Sequence, residues 1–375
     1  MPISQIDYEF MGQALRLAER GLYTTMPNPR VGCVLVKDGA LLAEGWHYRA
    51  GEAHAELHAL QQAGANARGA TAYVTLEPCN HTGKTGPCCE ALISAGVTRV
   101  VFAMEDPNPQ VSGRGVEKLQ AAGIQVDGPL LEDDARALNP GFIKRMERKL
   151  PYVRCKLAMS LDGRTAMASG QSKWITGRKA REDVQRLRAR SCAIISGIET
   201  VLRDNASLTV RADELHLENS ADAAAHQPLR VILDSNLRLT RTSEILNHSS
   251  PILLVHNGRE ENTARRLSWP EHVELMALAD KEGRIDLSAL LRELAVRQCN
   301  EVLVEAGATL AGSFLRRGLL DEIVIYVAPK LLGSSARPLF DLSFNTMAAV
   351  LPLKIRDMRA VGEDWRITAV PDMEH

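Results

Sequence analysis

TAYVTLEPCNHTGKTGPCCEALISAG, residues 71–96, decides the fold of the N-terminal half. It opens as an apolar strand, 71–78, that stops at Pro78. It closes as a helix, 87–96, with proline near its first turn and glycine after its last. Between them lie Cys79, His81 and Lys84, and the helix itself opens with Cys88 and Cys89. A strand end and a helix start thus each carry a cysteine, which is how an α/β sheet presents a site at its edge.

Working outward, VGCVLVKDGALLAEGWH (31–47) reads as a hairpin turned by Asp38-Gly39. AHAELHALQQAG (53–64) has helical spacing and ends at a glycine. Strand 99–104, helix 113–123 and a short strand after it continue the alternation, which implies a sheet covered by helices. Before the hairpin, Ser4 and Asp7 fit a capping box, and Phe10, Met11, Ala14, Leu15 and Ala18 form one apolar face.

A basic helix, 141–149, stops before Pro151, and a new strand begins. The domain boundary is placed there, giving domains 1–149 and 150–375, as 375 residues allow at about 150 per domain. The second half alternates too: helix 178–190, strands 192–197, 229–234 and 251–256, helix 286–297, strand 301–307, helix 309–317 and strand 321–329. Residues 213–228, polar and rich in Ala, Asn and Ser, read as a flexible surface loop.

Lys plus Arg is 45 and Asp plus Glu is 46, so the net charge is −1 and there is no bulk attraction to nucleic acid or an anionic membrane. A small-molecule ligand is favoured. Seven cysteines in so long a chain are not the framework of a small secreted domain. The N-terminus lacks a basic start followed by an apolar run, and no run approaches the ~18 residues of a membrane span. A cytoplasmic protein with reduced thiols is expected.

The first half offers His-Ala-Glu at 54–56, Pro-Cys at 78–79 and Cys88 nine residues later. H-x-E with a later P-C and a further cysteine is the signature of zinc nucleobase deaminases. A catalytic zinc takes three protein ligands and leaves a position for water, whose pKa it lowers. His54, Cys79 and Cys88 are the expected ligands, and Glu56, which is not one, the proton shuttle. His54 and Glu56 open one helix, and Cys88 lies in the first turn of another, where the helix dipole favours a thiolate. Cys89 is about 100° round the helix from Cys88 and is left to packing. His58 stands at i+4 from His54, but HAELH lacks the Glu directly after the first His that a metalloprotease pair requires, so it reads as an ordinary helix histidine. A purely structural zinc site would want a fourth protein ligand, for which His81 is the candidate.

In the second half, EVLVEAGATLAGSF (301–314) reads as strand, glycine turn and helix start, whose amides can hold phosphates. It lacks the lysine of a Walker A loop and is not G-x-G-x-x-G, so alone it is no more than a tight turn.

With these residues in hand, the chain resembles the bifunctional deaminase–reductases of riboflavin biosynthesis over nearly its whole length. PNPRVGCVLVKDG, GEAHAELHAL, AYVTLEPCNHTGKTGPCC, MEDPNPQVSGRG, AMSLDGRTA, SGQSKWIT, DNASLTVR, VEAGATLAGSF and VAPKLLG carry the likeness. The resemblance implies a cytidine-deaminase-like three-layer α/β/α domain followed by a dihydrofolate-reductase-like α/β domain. It implies Zn2+ and NADPH as cofactors, a pyrimidine ribotide as substrate, and a homodimer. By motif it assigns Asn28, His81 and Lys84 to the deaminase substrate. It assigns Ala158, Trp174, Thr200, Asp204, Ser235 and the run Gly307, Ala308, Thr309, Leu310, Ala311, Gly312 and Ser313 to NADPH. Ser172, Arg188, Leu208, Arg211 and Glu305 are assigned to the reductase substrate, and Lys156 is placed beside them as a group that polarises the opened sugar or its imine. Asn80 and Gly86 depart from the usual serine and proline.

Two competing readings are a nucleic-acid or nucleoside zinc deaminase with a fused nucleotide-binding domain, and a non-catalytic zinc-binding protein. The first predicts a basic, aromatic-rich surface, whereas the chain is neutral with 4% aromatics. The second leaves Glu56 and the open coordination position unexplained.

Overall fold

The computed structural model describes residues 3–80, 86–109, 111–259 and 269–372. It divides into two compact units, Met1–Leu150 and Pro151–His375.

The first unit runs α1 (Gln5–Glu19), β1 (Gly32–Lys37), β2 (Ala40–Trp46), α2 (Ala55–Ala63), β3 (Thr71–Val74), α3 (Cys88–Ala95), β4 (Arg99–Phe102), α4 (Arg114–Ala121), β5 (Gln125–Asp127), α5 (Glu132–Leu138) and α6 (Pro140–Arg148). The strands form one sheet in the order β2-β1-β3-β4-β5. β1 is antiparallel to β2 and β3, while β3, β4 and β5 are parallel. Asp38 and Gly39 both take positive φ at the hairpin turn, as an Asp-Gly pair favours. The strand expected over 71–78 ends at Val74. Beyond it the chain turns out of the ladder, with Thr75 N–H bonded to Gly32 O and Glu77 N–H to Met104 O.

Two glycines let helices seat on opposite faces of this sheet. A Cβ at Gly32 would lie 2.0 Å from Ala14 O of α1, and one at Gly45 2.4 Å from Ala55 O of α2. Gly45 pairs with Cys33, the neighbour of Gly32, so the two positions face opposite sides. Helix, sheet and helix form the three layers. The capping box of α1 is present, and its acid does more than cap. Asp7 accepts from Ser4 N–H and Oγ at 2.7 and 2.8 Å, from Tyr73 OH at 2.7 Å and from Arg99 Nη1 at 2.6 Å. Burial works to raise its pKa, but Arg99 and these donors hold the carboxyl well below the usual range. The cap residue thereby ties α1 to β3 and β4.

The second unit runs β6 (Tyr152–Ser160), β7 (Arg164–Ala166), α7 (Arg178–Ala189), β8 (Ala193–Gly197), α8 (Ile198–Asp204), α9 (Ser220–Ala225), β9 (Leu229–Leu233), β10 (Ile252–His256), β11 (Val273–Ala277), α10 (Leu287–Val296), β12 (Glu301–Glu305), α11 (Ala308–Arg316), β13 (Glu322–Ala328), β14 (Arg337–Pro338), β15 (Leu353–Val361) and β16 (Asp364–Pro371). Nine strands form a mixed sheet in the order β11-β10-β9-β8-β12-β6-β13-β16-β15. From β11 to β13 every pairing is parallel, and β16 and β15 add an antiparallel edge. β10 and β12 are buried at every residue, as parallel strands covered on both faces must be.

The stretch 213–228 is not a free surface loop. Leu215 and Ala223 are fully buried, and α9 lies within it. Gln227 holds it down, accepting from Val210 N–H at 2.8 Å and donating to Val210 O at 2.8 Å. Leu215 and Ala223 turn inward although the stretch is polar on average, so mean polarity misleads. The sequence reading also places no element after 329. The β15–β16 hairpin escapes it because β15 is exposed along almost its whole length and shows no inward stripe.

Gly45→Ala must push the start of α2 off β2, so it is expected to destabilise the first unit by about 1–3 kcal/mol, the usual cost of overpacking. Gly86→Ala, where a new Cβ meets nothing within 4 Å, is expected to change stability by less than about 0.5 kcal/mol. Urea melts of the two variants check both outcomes.

Candidate active sites

In the first unit, three donors from separate segments converge. His54 is the N-cap of α2, Cys79 follows β3, and Cys88 is the first residue of α3. The donor atoms of His54, Cys79 and Cys88 lie within 4.8 Å of one another. His54 Nδ1 is 3.2 Å from Cys88 Sγ and 3.6 Å from Cys79 Sγ. A tetrahedral ion with bonds of about 2.0–2.3 Å needs N···S edges near 3.5 Å, and both N···S edges lie close to that. The two thiols share a hydrogen bond, which together with His54 pulls the Cys79 thiol down and together with burial pushes the Cys88 thiol up. Cys88 N–H also points at Cys79 Sγ at 3.4 Å, the helix N-terminus facing the sulfur.

Glu56 lies in the first turn of α2 and is only 3% exposed. Burial raises its carboxyl pKa, with the neighbouring Cys79 adding to the rise and His54 opposing it. A buried carboxyl beside a metal triangle is equipped to take up and release a proton. Cys89 is fully buried, and its Sγ donates to Pro78 O at 3.1 Å, away from the triangle. His81 and Lys84 lie outside the described residues.

Several side chains beside the triangle are not singled out by the sequence reading. Glu77, buried and two residues before Cys79, accepts four backbone N–H groups: Gly115 at 2.9 Å, Gly113 at 3.0 Å, and Asp106 and Val116 at 3.3 Å. It clamps the 105–116 segment onto the cysteine-bearing turn. Burial pushes the Asp106 carboxyl up to about 7, against the Asn108 N–H that it accepts at 2.8 Å. His47, almost completely buried, bonds through Nε2 at 3.0 Å to the amide of Asn28, the substrate contact that the resemblance assigns. No sequence spacing signals these residues, because each acts through backbone groups or through a neighbour distant in the chain.

In the second unit, the expected residues gather at the C-terminal ends of adjacent parallel strands, where open α/β sheets bind ligands. Glu305 ends β12 and pairs in register with Lys156 on β6. Arg188 of α7 grips Glu305 with two bonds, 2.6 and 3.0 Å, and donates to Thr209 O at 3.0 Å. Burial works to raise the Glu305 pKa, but Arg188 outweighs it and the net shift is downward. Burial lowers the Lys156 pKa, opposed by Glu305. Arg211 lies at the surface and pairs bidentately with Glu214 at 2.7 Å for both bonds. Leu208 is buried at positive φ.

Gly307 is the N-cap of α11, so 307–313 is a strand-to-helix turn of the kind that receives phosphates. A Cβ at Gly197, the N-cap of α8, would lie 3.6 Å from Leu310 Cδ2, which brings the Thr200 helix beside that turn. Ser235 follows β9 and Ala158 lies on β6. Ser172 Oγ donates to Asp204 Oδ1 at 3.2 Å, and Lys173 Nζ to Asp204 O at 2.7 Å. Trp174 is 64% exposed, with the Arg181 guanidinium 4.5 Å above its ring. It is not a core indole.

Comparison with known proteins gives these sites their class. Residues 4–104 match the cytidine and deoxycytidylate deaminase zinc-binding region, and residues 151–367 match the RibD C-terminal domain. That pairing is a zinc-binding deaminase joined to a reductase. The riboflavin biosynthesis protein RibD of Escherichia coli K12 is 50% identical over 362 residues, covering 96% of this chain and 97% of its own. The Haemophilus influenzae protein is 49% identical over 375 residues, covering 99% of each. The structure of Acinetobacter baumannii RibD matches with a TM-score of 0.89 and 48% identity over 98% of this chain and 99% of its own. That of a diaminohydroxyphosphoribosylaminopyrimidine deaminase/5-amino-6-(5-phosphoribosylamino)uracil reductase from Thermotoga maritima gives 0.85 and 34%, over 98% of this chain and 99% of its own. The chain belongs to the RibD family, the bifunctional deaminase–reductases of riboflavin biosynthesis. Among the described residues no helix is long and apolar enough to cross a membrane.

Cys79→Ser and Cys88→Ser are each expected to weaken zinc binding by more than the 10–100-fold that losing a supporting partner costs. Cys89→Ser is expected to keep the metal. Zinc analysis of the three dialysed variants checks the contrast.

Proposed function

We propose that residues 1–149 hydrolyse the exocyclic amine of 2,5-diamino-6-ribosylamino-4(3H)-pyrimidinone 5′-phosphate, releasing ammonia. Residues 150–375 then reduce the ribosyl group with NADPH, giving 5-amino-6-ribitylamino-uracil 5′-phosphate. The observation that carries the first step is the His54–Cys79–Cys88 triangle with the buried, non-ligating Glu56 beside it. The printed name of the Thermotoga maritima relative supports both steps.

His54, Cys79 and Cys88 would hold the zinc, which when bound supplies a Lewis acid that makes water nucleophilic near neutral pH. Glu56 moves the two protons of the attacking water in turn, the first to the ring nitrogen and the second to the leaving amine. Asn28, with His81 and Lys84, binds the substrate. In the second domain, Ala158, Trp174, Thr200, Asp204, Ser235 and the 307–313 turn would hold NADPH, which supplies the hydride. Ser172, Leu208 and Arg211 bind the sugar phosphate, with Arg188 and Glu305 beside them. Both guanidiniums are engaged, Arg188 by Glu305 and Arg211 by Glu214; the Arg211 pair lies at the surface, where an exposed ion pair is worth little and yields to phosphate more readily. Lys156, kept from full basicity by burial, polarises the opened sugar or its imine.

The protein acts in the cytoplasm as a homodimer. Supporting the dimer is β15, an edge strand with Ile355 and Met358 62% and 58% exposed. Its sequence alternates such apolar residues with Lys354, Arg356 and Arg359, and among the described residues its outer edge pairs with no strand, which leaves it open to a partner.

Purified zinc-loaded protein given the diaminopyrimidine ribotide is expected to release ammonia without NADPH, and to oxidise NADPH once it is added. Neither signal from folded, metal-loaded protein overturns the assignment. Glu56→Gln is expected to lose about 10²–10⁴-fold in deamination while keeping zinc and the reductase. Ile355→Lys with Met358→Lys is expected to shift the protein from dimer to monomer on size-exclusion chromatography.

A further inference from the structure

His47 follows β2 and is almost completely buried, 2% exposed. Its ring makes two polar contacts. Nδ1 is 3.1 Å from Ala53 O, and Nε2 is 3.0 Å from Asn28 Nδ2. A carbonyl oxygen can only accept, so Nδ1 carries a proton. Nε2 faces the Asn28 amide and is bonded by no carboxylate among the described residues; with the proton on Nδ1, Nε2 presents a lone pair. Only an N–H can face that lone pair, so the Asn28 amide must present its NH2 to His47. The two ends of an Asn amide are otherwise interchangeable, and here the histidine decides between them.

The placement ties this choice to the metal triangle. Ala53 directly precedes His54, and the His47 and His54 rings meet edge to face at 5.3 Å with an interplanar angle of 81°. Among the described residues the His47 bond is the one that engages the Asn28 side chain. Its other end, the carbonyl oxygen Oδ1, is then the atom offered to a ligand.

We infer that His47 is a positioning residue of the deaminase site: it turns the Asn28 amide so that Oδ1 accepts an N–H group of the pyrimidine. The inference rests on reading Asn28 as a substrate contact. It adds that the ligand edge at Asn28 is a donor, so a base presenting only acceptors there is rejected.

Two substitutions divide the contacts of the ring. In His47→Gln the side-chain oxygen reaches the place of Nε2 and still accepts from Asn28, while the bond to Ala53 O is lost. In His47→Asn the side-chain NH2 takes the place of Nδ1 and still donates to Ala53 O, while Asn28 is released. H47N is expected to raise KM for deamination about ten-fold, the size of one hydrogen bond, with kcat within about two-fold. H47Q is expected to restore KM to within about two-fold of the original protein. A residue that merely props the 48–54 segment would show the reverse order, with H47Q the worse variant. That order, or equal KM values for the two, overturns the proposal. Zinc content and NADPH oxidation, measured on both variants, report folding of each domain. Independently, long-range 1H–15N spectra of the zinc-loaded protein read the tautomer, with the His47 signals assigned by their loss in H47N. The Nδ1–H form is expected, and an Nε2–H form or an imidazolium at neutral pH overturns the proposal. Absence of deamination in the original protein would sink the activity assigned to the domain, while the spectra would still decide the His47 tautomer.

Discussion

Close backbone approach at two glycines is the constraint on which the first site depends. The metal triangle needs atoms from residues 54, 79 and 88 within a few ångströms, and no local structure can supply that. Gly45 lets the first turn of α2 rest on β2, with Ala55 O where a Cβ would otherwise be. His54 and Glu56 flank that same residue. Gly115 does the corresponding work on the other side, since a Cβ there would lie 2.2 Å from Pro78 O. It lets α4 press against the turn that carries Cys79. Glu77 then locks the contact by accepting the free amides at the start of α4 and in the segment before it. The donor atoms are held by backbone contacts whose tolerance is tenths of an ångström, which is how a metal site is preorganised before the ion arrives.

The second site is built differently. Its residues stand at the ends of parallel strands, where the ladder sets their spacing and helix N-termini face the cleft. Glu305 and Lys156 are neighbours by register, and Arg188 reaches them from α7. A buried carboxylate flanked by two cations keeps its charge, whereas removing Arg188 would leave Glu305 and the half-buried Lys156 to compensate each other alone. The position of the Trp174 segment comes from side chains as well. Lys330 Nζ donates to Trp174 O at 3.1 Å and to Ile175 O at 2.8 Å, and Asp364 accepts from Gly177 N–H at 2.7 Å. The exposed indole is therefore held by its backbone, with the Arg181 guanidinium over one face of its ring.

Much of this architecture is legible from one chain. The hairpin at 31–47, the helices beginning at His54 and Cys88 and the alternation after 151 follow from periodicity and from Gly and Pro punctuation, because those signals are local. The ligand triad is legible because its residue types are rare and chemically committed: a histidine at a helix start and two cysteines at element ends have few other uses. The stretch 213–228 misleads because its composition is polar on average, while a few residues such as Leu215 and Ala223 are buried. β15 is hidden for the opposite reason, since nothing in the described residues covers it and it shows no inward stripe.

By itself, then, the sequence determines which side chains can do chemistry and on which elements they stand, since residue type and hydrophobic period are properties of short segments. The tertiary structure alone decides how those side chains are aimed. Glu77 becomes an amide clamp, Arg188 is engaged by Glu305, and His47 sets which end of the Asn28 amide meets a ligand. Each of these depends on partners 19 to 117 residues away in the chain. A hydrogen bond is directional over tenths of an ångström, and only the packed fold sets distances that finely.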